Sequence, residues 1–274
     1  MLGILGWVLL SDLDQGINLA SDLGIRFVLA SVVGLGGLAA AGVSWSLLAE
    51  TSVRQGLSTF GTTLPLRHLP LGGFGQIAGL SGMAVAIGAR SERVALAAPA
   101  FMAVTAAGAS VVALPMVWDP ATPLWIRGVV LVSLALTAAL VWGGPRLLEK
   151  FIGRWYPRLA GQKMRFRGSI AWSAVAMVGA ATSFAILFPS AGSAVGAITG
   201  FAAAWLCGYL FVVAPAGLGI REVTLMALWP EVEGSTVVAT ALAHRLTTLV
   251  GELMLFTLAW WISRDWVRAR ERSV

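Results

Sequence analysis

Positions 237–262 run apolar for the length of a membrane crossing, yet Arg245 and Glu252 lie inside that run. A spanning helix needs about 20 apolar residues, and an ionisable side chain at its centre costs about 2.5–3.5 kcal/mol on insertion scales. Such residues persist where they face a polar cavity or a partner, which makes both candidates for function. Seven positions apart, they share one helical face.

The rest of the chain has the same character. Hydrophobic residues make up 58% and charged ones 12% of 274 residues, and the mean hydropathy is +0.83. A soluble domain needs far less apolar surface for its core, so the composition predicts a multispanning membrane protein. The length admits about six to eight crossings and leaves no room for a soluble catalytic domain. The net charge of +6 does not indicate a nucleic-acid partner, because the basic residues gather between and after the apolar stretches, where topology explains them. Cys207, the single cysteine, lies inside a span, so neither a disulfide framework nor a multi-cysteine metal site is expected. The N-terminal segment 1–24 lacks a basic leader and a small-residue cleavage pattern, and resembles neither a secretory signal nor a full span.

Six stretches are expected to cross: 25–49, 94–118, 124–142, 170–188, 193–214 and 237–262. The first is rich in glycine (Gly34, Gly36, Gly37, Gly42), which suits close helix packing at an interior position. Two further segments are apolar but interrupted. In 57–89, Pro65, Pro70 and the Gly72, Gly73, Gly75 cluster leave each half too short to span, which predicts a re-entrant pair; 215–230 is broken by Pro215, Gly217 and Gly219. The expected fold is an all-α integral membrane protein, one transmembrane domain over 1–274, with about six full helices and two broken segments that suggest an internal pseudo-repeat.

Arginine and lysine set the orientation. The loop 144–168 holds Arg146, Lys150, Arg154, Arg158, Lys163, Arg165 and Arg167 against only Glu149, and the tail 263–274 carries Arg264, Arg268, Arg270 and Arg272. Both are expected in the cytoplasm of a cell-membrane protein. Asp119-Pro120, 189–192 and the N-terminus, with Asp12, Asp14 and Asp22, then fall outside. Arg90 and Arg93 fall inside, so the segment between Glu50 and Arg93 must enter and leave on one side. Trp260, Trp261 and Trp266 suit an interfacial belt.

Broken helices in corresponding positions of two halves are the sequence pointer to a transporter binding site, since they expose backbone N–H groups at mid-depth. A helix beginning near Ile220 aims its positive end at an anion, and Arg221 in its first turn adds a charge suited to phosphate. The binding set is therefore Arg67, Arg221, Glu222, Arg245 and Glu252, with Pro70, Gly72, Gly73, Pro215, Gly217 and Gly219 shaping the breaks. The arginines suit an anionic head; Glu222 and Glu252 suit the arginines themselves or an amine. Each has a structural alternative: Arg221 and Glu222 fixing the broken helix, Arg245 capping freed carbonyls. His244 points about 100° from Arg245, a packing position. No metal, cofactor or catalytic set is expected from two distant histidines.

The run Pro215-Ala216-Gly217-Leu218-Gly219-Ile220-Arg221-Glu222, followed by Ala243-His244-Arg245-Leu246 in the next span, resembles the transmembrane-region family of lysylphosphatidylglycerol synthases. The hallmark there is Pro-x-Gly-Leu-Gly-Val-Arg-Glu. Leu64-Pro65-Leu66-Arg67-His68-Leu69-Pro70-Leu71-Gly72 resembles that family's Arg-Tyr-Leu-Pro-Gly segment, with His68 for the aromatic residue and Leu71 inserted; Trp45-Ser46-Leu47-Leu48 also fits. The resemblance extends from about Ile25 onward and implies translocation of a lipid by a stand-alone flippase-like region without the synthase domain. The expected function is binding and translocation of an anionic or aminoacylated lipid, a phospholipid or a polyprenyl phosphate. The alternatives are a non-catalytic accessory subunit of a membrane glycosyltransferase or cell-envelope lipid complex, docking through 144–168, and a membrane enzyme acting on a lipid phosphate, for which catalytic candidates are thin.

Overall fold

The computed structural model describes residues 24–68, 72–86, 88–142, 165–210 and 219–271, and among them there is helix and turn but no strand. In chain order the helices are Ile25–Ala49 (α1), Val53–Thr63 (α2), Gly72–Ala86 (α3), Ser91–Ala113 (α4), Leu124–Trp142 (α5), Phe166–Leu187 (α6), Ala194–Leu210 (α7), Ile220–Leu228 (α8) and Gly234–Glu271 (α9). Tight 3₁₀ turns at Leu64–His68 and Leu114–Val117 continue α2 and α4.

Four helices are long and apolar enough to cross a membrane: Ile25–Ala49, Arg93–Val117, Phe166–Leu187 and Gly234–Ser263. Within the expected stretches 124–142 and 193–214, α5 and α7 are shorter apolar helices, and 211–214 lie outside the described residues. Large apolar side chains point outward along the bundle, among them Leu124, Val132, Leu136, Val195 and Leu253. Helices apolar on every face belong in lipid.

Small residues set the packing. α1 and α6 run antiparallel in the most extensive contact of the bundle, at backbone distance: a Cβ on Gly37 would lie 2.8 Å from the Ala176 carbonyl oxygen. Toward one end, Ser44 Oγ lies 2.7 Å from Ser169 Oγ and 2.9 Å from Ser173 Oγ. Lipid gives helices little hydrophobic reason to associate, so close approach and hydroxyl bonds take over. α4 joins α6 in the same way, Gly108 sitting against Ser173 and Ala174.

The interrupted segment doubles back as its composition predicts. Ser52 and Gln55 close a reciprocal cap that starts α2, and α2 descends along α9, Ser58 Oγ donating to the Ala259 carbonyl at 3.3 Å. After the 3₁₀ turn, α3 returns, its Gly79 against Leu66 and Thr63. Arg93 at the start of α4 then pairs with Glu50 at the end of α1, 2.7 Å apart. The chain from Glu50 to Arg93 thus begins and finishes at one end of the bundle, together with the start of α6. The last candidate span ends at Ser263, one residue from the expected 262, and α9 continues to Glu271 as one helix of 38 residues.

Candidate functional site

α8 starts at Gly219, whose φ of 85° lies where a Cβ is strained and glycine is not. Glu222, three residues on, turns its carboxylate back over this start: Gly219 N–H donates to Oε2 at 2.8 Å. The other oxygen, Oε1, accepts from Arg245 Nη2 at 2.7 Å. One carboxylate therefore closes the end of the broken helix and fastens it to α9. The Glu222 and Arg245 side chains are 13% and 21% exposed. Arg245 lies about 16 Å along α9 from Gly234, inside the candidate span Gly234–Ser263. Its Nε–H is buried and has no acceptor among the described residues.

Arg221 extends over the Phe201 ring of α7, its guanidinium carbon 5.0 Å from the centroid, a cation–π contact. Phe201 also meets the His244 ring edge-on at 4.7 Å and stacks on Phe184 at 4.9 Å. His244 Nε2 lies 3.1 Å from the Ala180 carbonyl of α6, an acceptor only, so Nε2 carries the proton there. His244 is the packing residue its position implies. The adjacent charges of α8 are held by different helices, Glu222 by α9 and Arg221 by α7.

Of the sequence-derived binding set, Glu222 and Arg245 are brought together, while Arg221, next to Glu222 in sequence, lies over Phe201 of α7. Glu252 lies two turns farther along α9, 5% exposed, where neighbouring Gly251 meets Leu35 and Leu38 of α1. Arg67 is in the 3₁₀ turn, with its side chain outside the described residues; Pro70, Pro215 and Gly217 are outside them too. Gly72 and Gly73 open α3.

A cavity of about 370 Å³ lies between α5 and α8, lined by Trp125, Val129, Gly219, Ile220, Val223 and Thr224. Its walls carry no charge. Among its lining residues is Gly219, the residue bonded to Glu222.

Sequence reasoning missed the second ion pair. Arg93 is 2% exposed, and its Nε donates to the Leu48 carbonyl at 3.0 Å while Glu50 takes Nη2. It was used only as a sign of sidedness. The available signal was the Glu50 helix end, whose last carbonyls need donors. Among the described residues no group of His, Cys, Asp and Glu is placed to hold a metal ion. Comparisons with protein-family models, with curated proteins and with solved structures found no match to this chain.

Proposed function

We propose that this chain is a multi-pass protein of the cell membrane that binds and translocates an anionic or aminoacylated lipid between leaflets. The observation that best supports this reading is the Glu222–Arg245 pair, partly accessible, with Arg245 inside a candidate span, and joined to the start of a broken helix. Ionisable groups so placed mark pathways for polar cargo. Here they stand beside a wall suited to acyl chains, the cavity between α5 and α8. The Pro215 to Glu222 motif and its resemblance to the lysylphosphatidylglycerol synthase membrane region point the same way. In this reading α5 and α7 also cross, giving about six spans, and the α2–α3 hairpin is re-entrant. The 144–168 loop and the 263–274 tail lie in the cytoplasm, with the N-terminus outside.

Scrambling of fluorescent lipids in proteoliposomes tests it, comparing wild type with Arg221→Ala and Arg245→Ala at matched folding and reconstitution. Exchange is expected in wild type and lost in both variants. No exchange of phosphatidylglycerol, its lysyl ester or a polyprenyl phosphate overturns translocation and leaves a binding or accessory role.

A further inference from the structure

We propose that the end of the bundle where α1 finishes and α4 and α6 start binds anionic phospholipid head groups through Arg90, Arg165 and Arg167. This rests on the membrane placement of the spans and not on translocation. Three candidate spans, Ile25–Ala49, Arg93–Val117 and Phe166–Leu187, have an end here, so the arginines flank apolar helix at the level where lipid phosphates lie. Contacts fix the convergence. Arg93 joins α4 to Glu50 and to the Leu48 carbonyl of α1. From α6, Ser169 Oγ donates to the Ser44 carbonyl at 3.0 Å, and a Cβ on Gly168 would lie 3.3 Å from Leu47 Cδ1. Arg165 is close enough to Arg93 for their charges to repel.

Positive charge predominates at this end. The ends of α1, α2, α4 and α6 that meet here carry Arg54, Arg90, Arg93, Arg165 and Arg167 against Glu50 and Glu92. Arg93 is buried and engaged with α1. Arg90, Arg165 and Arg167 are exposed, and none of the three has an ion pair or a side-chain hydrogen bond among the described residues. α4 and α6 begin on Arg90 and Arg165 with no side-chain cap, so the positive ends of two helix dipoles add to the same field. The opposite end is mixed, with Arg26 and Arg127 against Asp119, Glu231 and Glu233, and Arg127 bonded to the Thr122 and Pro120 carbonyls. A field confined to one end suits a partner spread over one membrane face. The three residues are arginines, whose planar forks take phosphate oxygens in pairs. A phosphodiester head offers those oxygens where the spans end, and each arginine near an anionic surface is worth about five-fold in affinity. Zwitterionic phosphatidylcholine supplies no such net attraction.

Lipid retention by charge variants tests this. The purified full-length protein in detergent is offered equal amounts of phosphatidylglycerol and phosphatidylcholine, and bound lipid is counted by native mass spectrometry. Wild type is expected to retain phosphatidylglycerol several-fold over phosphatidylcholine, with the preference shrinking as ionic strength rises. The triple variant Arg90→Gln, Arg165→Gln, Arg167→Gln loses the preference, and the corresponding triple lysine variant keeps most of it. Arg26→Gln at the opposite end and Arg245→Ala at the proposed translocation site both keep it. Monodispersity and melting temperature confirm folding; if the triple glutamine variant does not fold, the three single variants decide, each lowering retention several-fold. An equal preference in wild type and the triple glutamine variant, or an equal loss in Arg26→Gln, overturns the inference and leaves the arginines as markers of topology. Glycerophosphoglycerol competing as well as the lipid assigns the surface to a soluble diester and overturns the lipid source. Preference without scrambling overturns translocation alone, and scrambling without preference overturns this inference alone.

Discussion

Glu222 and Arg245 are joined 2.7 Å apart by a carboxylate whose second oxygen already holds the Gly219 N–H. The pair is therefore also the fastening of α8 to α9. Its two members are expected to act as a unit: Glu222→Gln and Arg245→Gln each destabilise, and the double variant loses less than their sum. Interhelical polar contacts in membranes are worth about 0.6–2 kcal/mol, and charge assistance places this coupling toward the upper end. A double-mutant cycle of melting in one detergent measures it. Additive losses would show that the two side chains act independently.

The α1–α6 contact depends on particular glycines. Gly37 has the Ala176 carbonyl 2.8 Å from where its Cβ would be, whereas its neighbour Gly36 has nothing within 4 Å. Gly37→Leu is expected to cost about 1–3 kcal/mol through forced helix separation. Gly36→Leu stays within about 0.5 kcal/mol. Equal melting temperatures for the two variants would refute the close approach.

Much of this fold was legible because the bilayer imposes simple rules on sequence. Residue by residue, 25–49 and 124–142 emerge as helices with the expected bounds, since apolar runs ended by Glu50 or preceded by Pro123 leave little choice. The doubling back at 57–89 followed from Pro and Gly leaving halves too short to span. That Glu222 suits an arginine was legible, but not that the arginine is Arg245, because pairing across 23 positions depends on how α8 lands on α9. Arg93 was hidden for the opposite reason: at a helix edge, a cation that caps Leu48 has the same sequence signature as a topology signal.

Arg93 and Glu50 contribute unequally. Arg93 is buried, donates to the Leu48 carbonyl and is ion-paired with Glu50, while Glu50 is 49% exposed. Removing a buried donor leaves a helix-end carbonyl without its bond, which costs about 1–3 kcal/mol. Glu50→Gln removes only a solvent-screened charge, worth about 0–1 kcal/mol. Arg93→Met is thus expected to melt at a lower temperature than Glu50→Gln, and the reverse order would mean that the ion pair outweighs the cap.

His244 fills space between α6 and α7, its ring edge-on to Phe184 and Phe201 at 5.8 and 4.7 Å. His244→Phe preserves that volume and gives up the bond to the Ala180 carbonyl. A helical carbonyl already accepts from its own helix, so the loss is expected near 1 kcal/mol. His244→Ala opens a cavity beneath Phe201 and costs about 2–4 kcal/mol, by analogy with large-to-small core changes. Melting temperatures of the two variants beside wild type measure the difference, and equal losses for His244→Phe and His244→Ala would show that the filled volume beneath Phe201 does not stabilise the bundle.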